Sequence, residues 1–171
     1  MIGAKAVQTA RTLGMKRFGI ALAALAGSAA AAFAQDAAGQ AVPYCADLLR
    51  VVTLAQTGAR FDSIAGKPRE GNFKDTVLPL TGWQDCSLYG AGMYTCDTQA
   101  FGTPAEADAG QAKTAREILG CLGIEWAEIK DRSSPGYVVL HPLRGPASIT
   151  LSRDENDNKQ HVVRLTLFIR R

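Results

Sequence analysis

The sequence has no Gly-x-Ser-x-Gly, no His-Glu-x-x-His, no Cys-x-x-Cys and no glycine-rich phosphate loop. The local signatures of a serine hydrolase, a zinc peptidase, a dithiol redox site and a nucleotide-binding site are therefore all missing. Histidine is scarce, with only His141 and His161, and aromatic residues make up 7% of the chain. There is no long run of one charge, no proline-rich linker and no internal sequence repeat, which leaves neither a polyelectrolyte tail nor a solenoid. At 47% hydrophobic and 20% charged over 171 residues, the composition is that of one ordinary globular domain.

A further absence locates the charge. The first 34 residues contain Lys5, Arg11, Lys16 and Arg17 but no Asp or Glu, and they end in the apolar, alanine-rich run Phe18 to Ala34. A basic start, an apolar middle and small residues at Ala32 and Ala34 have the form of a secretory signal peptide with cleavage before Gln35. The apolar run is shorter than the ~20 residues that span a bilayer, so no stable membrane anchor is expected after cleavage. Translation can begin at Met1 or at Met15, because Met15-Lys16-Arg17 is itself a compact signal start. The expected organisation is a signal peptide over 1–34 and a single domain over 35–171. The formal charge of +3 belongs to the precursor; residues 35–171 carry 15 basic and 16 acidic side chains. With the basic excess confined to the leader, and with Glu70 and Asp75 interrupting Lys67, Arg69 and Lys74, nucleic acid is not an expected partner.

All four cysteines, Cys45, Cys86, Cys96 and Cys121, follow the cleavage site. An even count in an exported chain predicts two disulfides, and the wide spacing excludes the paired ligands of a structural zinc site. Three connectivities are possible. Cys86 and Cys96 flank a hairpin turn and would face one another across it if the turn centres on Ala91, which favours Cys86–Cys96 with Cys45–Cys121 over two helix-to-strand pairs.

Hydrophobic periodicity predicts a helix over Pro43 to Gln56, buried through Cys45, Leu48, Leu49, Val52 and Ala55, then one more turn at Phe61 to Ile64. Gly66 to Asn72 has the punctuation of a surface loop. Thr76 to Leu88 and Tyr94 to Phe101 read as a hairpin, with Pro79 marking an edge or bulge. Thr103-Pro104-Ala105-Glu106 is a capping box with proline at the first helical position, and it opens a helix to about Leu122 with the stripe Ala112, Ala115, Ile118, Leu119 and Leu122. Four strands follow, at Ile124 to Lys130, Tyr137 to His141, Ala147 to Arg153 and His161 to Arg170. The expected fold is α+β: one antiparallel sheet of about five to six strands, in the order α-ββ-α-ββββ, with two helices on one face. The outline is similar to the small α+β domains of secretion chaperones and inhibitors, a likeness of topology alone.

No catalytic, metal or cofactor residues are assigned. His141 and His161 stand at strand ends with no spacing that unites them, and Asp154 to Asn158 lacks the ligand order of a calcium loop and reads as a solvated turn. Trp83 and Trp126 read as core residues. The candidate partner surface is Tyr89, Met93, Tyr94 and Tyr137, residues beside turns, among which the tyrosines are large, stiff and amphipathic and so favour recognition. Ser133 to Tyr137 shares serine, glycine and tyrosine with the plug loop of periplasmic lysozyme inhibitors but is shorter and differently ordered, so no residue role is carried over. The expected function is that of a non-catalytic periplasmic or secreted module binding a protein or envelope component. An inhibitor or immunity-like protein against a hydrolase is the alternative, and a small carboxylate-dependent hydrolase stands behind both.

Overall fold

The computed structural model describes residues 41–170, so the expected signal peptide lies outside the described residues. Helix α1 spans Cys45–Gln56 and helix α2 spans Pro104–Leu122. The capping box forms as the sequence predicts: the Glu106 amide donates to the Thr103 hydroxyl (3.2 Å) and the Thr103 amide donates to the Glu106 carboxylate (3.0 Å). Two otherwise orphaned amides are thereby satisfied. Gly123 ends α2 at φ 74°, a conformation that costs a residue without a Cβ little.

The buried stripes of both helices differ from the predicted ones. Helix α1 buries Leu48, Val51, Val52 and Ala55 and leaves Leu49 exposed. Helix α2 buries Ala107, Gln111, Thr114, Ala115 and Ile118, while Ala112 faces solvent. Gln111 is the reason that hydropathy misplaces the second stripe. Its side-chain amide donates to the Leu151 carbonyl (2.8 Å), so a polar residue is buried without loss of hydrogen bonding. A disulfide joins Cys45 at the start of α1 to Cys121 at the end of α2. Beside it the Tyr44 hydroxyl donates to Glu117 (2.9 Å), and burial followed by the Glu117 contact raises the tyrosine pKa, keeping the group a proton donor.

The strands are β1 (Ala65–Pro68), β2 (Phe73–Thr76), β3 (Gln84–Tyr89), β4 (Met93–Asp97), β5 (Trp126–Glu128), β6 (Tyr137–Pro142), β7 (Ala147–Glu155) and β8 (His161–Ile169). Single 3-10 turns occur at Phe61–Ile64 and Lys130–Arg132. The α+β class and the antiparallel sheet with two helices stand as expected. The strand count and order do not: eight strands form in the order α-ββββ-α-ββββ. The missed pair comes from the segment read as a loop. Gly66 to Asn72 contains most of β1 and the β1–β2 turn, closed by the Arg69 amide on the Phe73 carbonyl (2.8 Å) with Gly71 at φ 67°. The single strand expected over Thr76 to Leu88 is broken by Val77 to Trp83, a segment that includes Pro79 and lies outside the sheet.

In space the strands run β1-β2-β3-β4-β8-β7-β6-β5, all antiparallel. Each half is thus a helix followed by a four-strand meander, and the halves join through their last strands, with Thr95 opposite Thr166. The repeat is one of topology and leaves no trace in residue identity.

Side chains alternate across this sheet. Leu88, Tyr94, Cys96, Leu140, Ile149, Leu151, Leu165 and Leu167 form the core on the helix side. Both helices pack over β7 and β8. The first meander is sealed instead by Phe61, Leu78 and Leu80, with Phe61 against Tyr94 at 6.1 Å between ring centres. The second disulfide, Cys86–Cys96, crosses the β3–β4 hairpin in this layer, and Trp126 is buried in it. Trp83 is half-buried, edge-on to Tyr44.

Candidate binding face

The registers that bury the core on one side fix what stands on the other. Following the paired residues from β2 to β7 gives a row Phe73, Tyr89, Met93, Phe168 and Ser148. Beside it runs Asp75, Ser87, Thr95, Thr166, Thr150 and Val139, and next Asp97, Arg164, Ser152 and Tyr137. No described element covers these rows. The middle one is mostly a strip of small hydroxyl residues; its Ser87, Thr150 and Thr166, and Ser148 at the end of the first row, are each less than 10% exposed. They form a floor sunk between taller side chains, Phe73, Tyr89 and Met93 on one side and Tyr137 on the other.

The two ends of this trough differ in charge. Toward β3 and β4 a cavity of about 330 Å³ includes Phe73, Met93 and Thr95 with Arg69 and Arg164. Both arginines are paired there. Arg164 makes two hydrogen bonds to Asp97 (2.8 and 2.9 Å) and one to Asp154 (2.6 Å), and these contacts, Asp97 first, raise its pKa. Arg69 bonds Asp75 and lies 3.4 Å from Asp85, which sits at φ 48° beside the register shift in β3.

At the β6–β7–β8 end a second cavity of about 290 Å³ is lined by Arg132, Tyr137, His141, Ser148, Thr150 and Phe168, with Val139 and Arg170 completing it. Its wall carries no carboxylate. Burial, then Arg170 and Arg132, lower the His141 pKa, so the imidazole favours its neutral form.

The sequence candidates divide accordingly. Tyr89, Met93 and Tyr137 stand on this face; Tyr89 and Tyr137 are exposed and Met93 is half-buried. Tyr94 does not belong to a surface. It is fully buried on the helix side, its hydroxyl donating to the Leu78 carbonyl (2.9 Å), because the hairpin turns at Gly90 to Gly92 and strand alternation sends Tyr94 opposite to Met93. The Ser133 to Tyr137 loop is a tight turn closed by reciprocal backbone bonds between Ser134 and Tyr137 (2.7 and 2.9 Å). The two histidines stand on opposite faces of the sheet: His141 lines the trough, whereas His161 lies by Pro104 near the start of α2. Asp154 to Asn158 forms part of the β7–β8 connection, where the Asn156 side chain accepts from the amides of Asn158 and Gln160 (3.0 Å each).

Sequence reasoning missed Arg132, His141, Arg170 and the Ser148/Thr150 floor as one group. Alternation in β7 announced one solvated face, but the arginines enter from a 3-10 turn and from beyond the last strand, positions with no periodic signal. No family model, no curated protein and no solved structure matches this chain. The two disulfides fit an oxidising, extracytoplasmic compartment, and among the described residues no helix is long and apolar enough to cross a membrane.

Proposed function

We propose that this chain is a non-catalytic periplasmic or secreted binding module whose helix-free sheet face receives a protein or envelope component. The observation that carries this reading is the trough itself: a sunken hydroxyl floor across four strands, flanked by Phe73, Tyr89, Met93 and Tyr137, which no described element covers. A surface of small hydroxyls rimmed by aromatics supplies adaptable hydrogen bonding with stiff apolar anchors. The non-catalytic reading is supported by the carboxylates of the face. Asp75, Asp85, Asp97 and Asp154 are engaged by Arg69 or Arg164, a poor arrangement for a general acid or base, and Asp157, which also lines the cavity at that end, has no second unpaired carboxylate in that lining to work with.

The test is capture by the immobilised exported chain from an envelope extract, repeated with Thr95→Arg and Thr166→Arg and with Lys113→Glu on the far side of α2 as a control. A component retained by the wild type and by the control, but lost from both floor variants, supports the reading. Retention indifferent to the floor variants, or no retention, overturns it.

An inhibitor of a hydrolase is the second reading, favoured by the tight Ser134–Tyr137 turn that presents the exposed Tyr137. It requires dose-dependent loss of hydrolase activity that Tyr137→Ala weakens.

A further inference from the structure

We propose that the cavity at the β6–β7–β8 end of the trough binds a phosphate monoester carried on an aromatic or apolar group. Three cationic or protonatable side chains reach it from three separate elements: Arg132 from the 3-10 turn after β5, His141 from β6 and Arg170 from the residue after β8. Neither arginine forms an ion pair among the described residues, whereas Arg69 and Arg164 at the other end are both paired. The two ends of the trough could have been neutralised alike; only one is.

Arg170 is held in place. Its backbone amide donates to the Pro146 carbonyl (2.7 Å) and one guanidinium nitrogen donates to the Gly145 carbonyl (3.0 Å), which leaves the rest of the fork for a ligand. Ser148 and Thr150 add hydroxyls from the floor, and His141 adds a ring nitrogen. Two permanent positive charges match a phosphate dianion, whereas a carboxylate would leave one of them uncompensated. The three non-bridging oxygens of the monoester also use more of the donors than a carboxylate can. Phe168 and Val139 form an apolar wall for the carrier, and the exposed Tyr137 stands at the rim. The cavity is large enough for one such group and does not enclose it, so a carrier can extend along the trough.

The inference rests on the reading of the trough as a binding surface and can fail separately from it. Phenyl phosphate is the probe, titrated into the exported chain by calorimetry and followed by NMR at the Ser148 and Thr150 amides, with benzoate in parallel. Saturable binding of phenyl phosphate at least tenfold tighter than benzoate, weakened at least tenfold in both Arg132→Gln and Arg170→Gln, supports it. Lys113→Glu, on the far side of α2, leaves that binding unchanged. Vesicles containing phosphatidic acid separate the sources: retention on them with the same arginine dependence assigns the monoester to a lipid, and binding of phenyl phosphate without vesicle retention assigns it to a soluble carrier. No saturation, equal affinity for benzoate, or binding indifferent to both arginine variants overturns it. If phenyl phosphate fails while Thr95→Arg and Thr166→Arg still abolish capture of a component, the pocket assignment falls and the binding-face reading stands.

Discussion

Arg164 clasps Asp97 across the junction of β4 and β8, its Nε and Nη2 donating to the two carboxylate oxygens at 2.8 and 2.9 Å. The pair bridges the two meanders, and its members are unequally buried: the Asp97 side chain is 8% exposed and that of Arg164 is 33% exposed. Removing the arginine strands a buried carboxylate, at a cost of about 3–5 kcal/mol for an uncompensated buried charge. Removing the aspartate leaves a guanidinium that reaches water and still holds Asp154, a loss of about 1–3 kcal/mol. Arg164→Ala is therefore expected to destabilise more than Asp97→Ala, a ranking that denaturant unfolding of the two variants checks.

The disulfides close loops of very different length, 76 residues for Cys45–Cys121 and 10 for Cys86–Cys96. On the chain-entropy argument they contribute about 4.5 and about 2.7 kcal/mol respectively, mostly by restricting the unfolded chain. The double replacement Cys45→Ser with Cys121→Ser should lower the unfolding midpoint further than Cys86→Ser with Cys96→Ser. Equal losses would show that the helix-to-helix bond constrains the unfolded chain less than its span implies.

His141 gives a pH dependence whose sign follows from its surroundings. Burial, Arg170 and Arg132 lower its folded pKa below the ordinary value of 6.5, so the unfolded chain takes up this proton first. The contribution is fully present above about pH 6.5 and is lost as pH falls through the depressed folded value. Stability measured from pH 7.5 to 5 should therefore fall less steeply in His141→Gln than in the wild type.

Thr103 tests the start of α2. Thr103→Ala removes the hydroxyl that accepts from the Glu106 amide and should cost about 1 kcal/mol. The denaturant midpoint should shift at unchanged slope, because the sheet beneath is untouched.

These residues also show how much the chain discloses before it folds. Thr103, Pro104 and Glu106 mark the start of α2 because capping chemistry is local, and the Cys86–Cys96 bond follows from a three-residue turn. The class of the fold and the strands after α2 are equally legible, since Ile149, Leu151, Leu165 and Leu167 alternate with polar residues. The β1–β2 hairpin is not: four-residue strands at an edge, rich in Gly, Lys and Pro, lack the hydrophobic period that marks a strand. Proximity to the hairpin tip groups Tyr94 with Met93, but one step of alternation separates them, and that suffices to move a side chain from surface to core. The cationic cavity is illegible in sequence because its members meet only when β6, β7 and the end of β8 align.

The mirrored strand order has one more consequence. The sheet is deepest in its interior at the neighbouring strands β8 and β7, nine residues each, and shallow at its borders, where β5 has three and β1 has four, the latter ending in Lys67 and Pro68. Unpaired backbone amides and carbonyls are what an incoming strand needs, and short, charged or proline-bearing borders offer few of them. The sheet is therefore poorly disposed to be lengthened strand by strand, and what it leaves accessible is a face rather than a border.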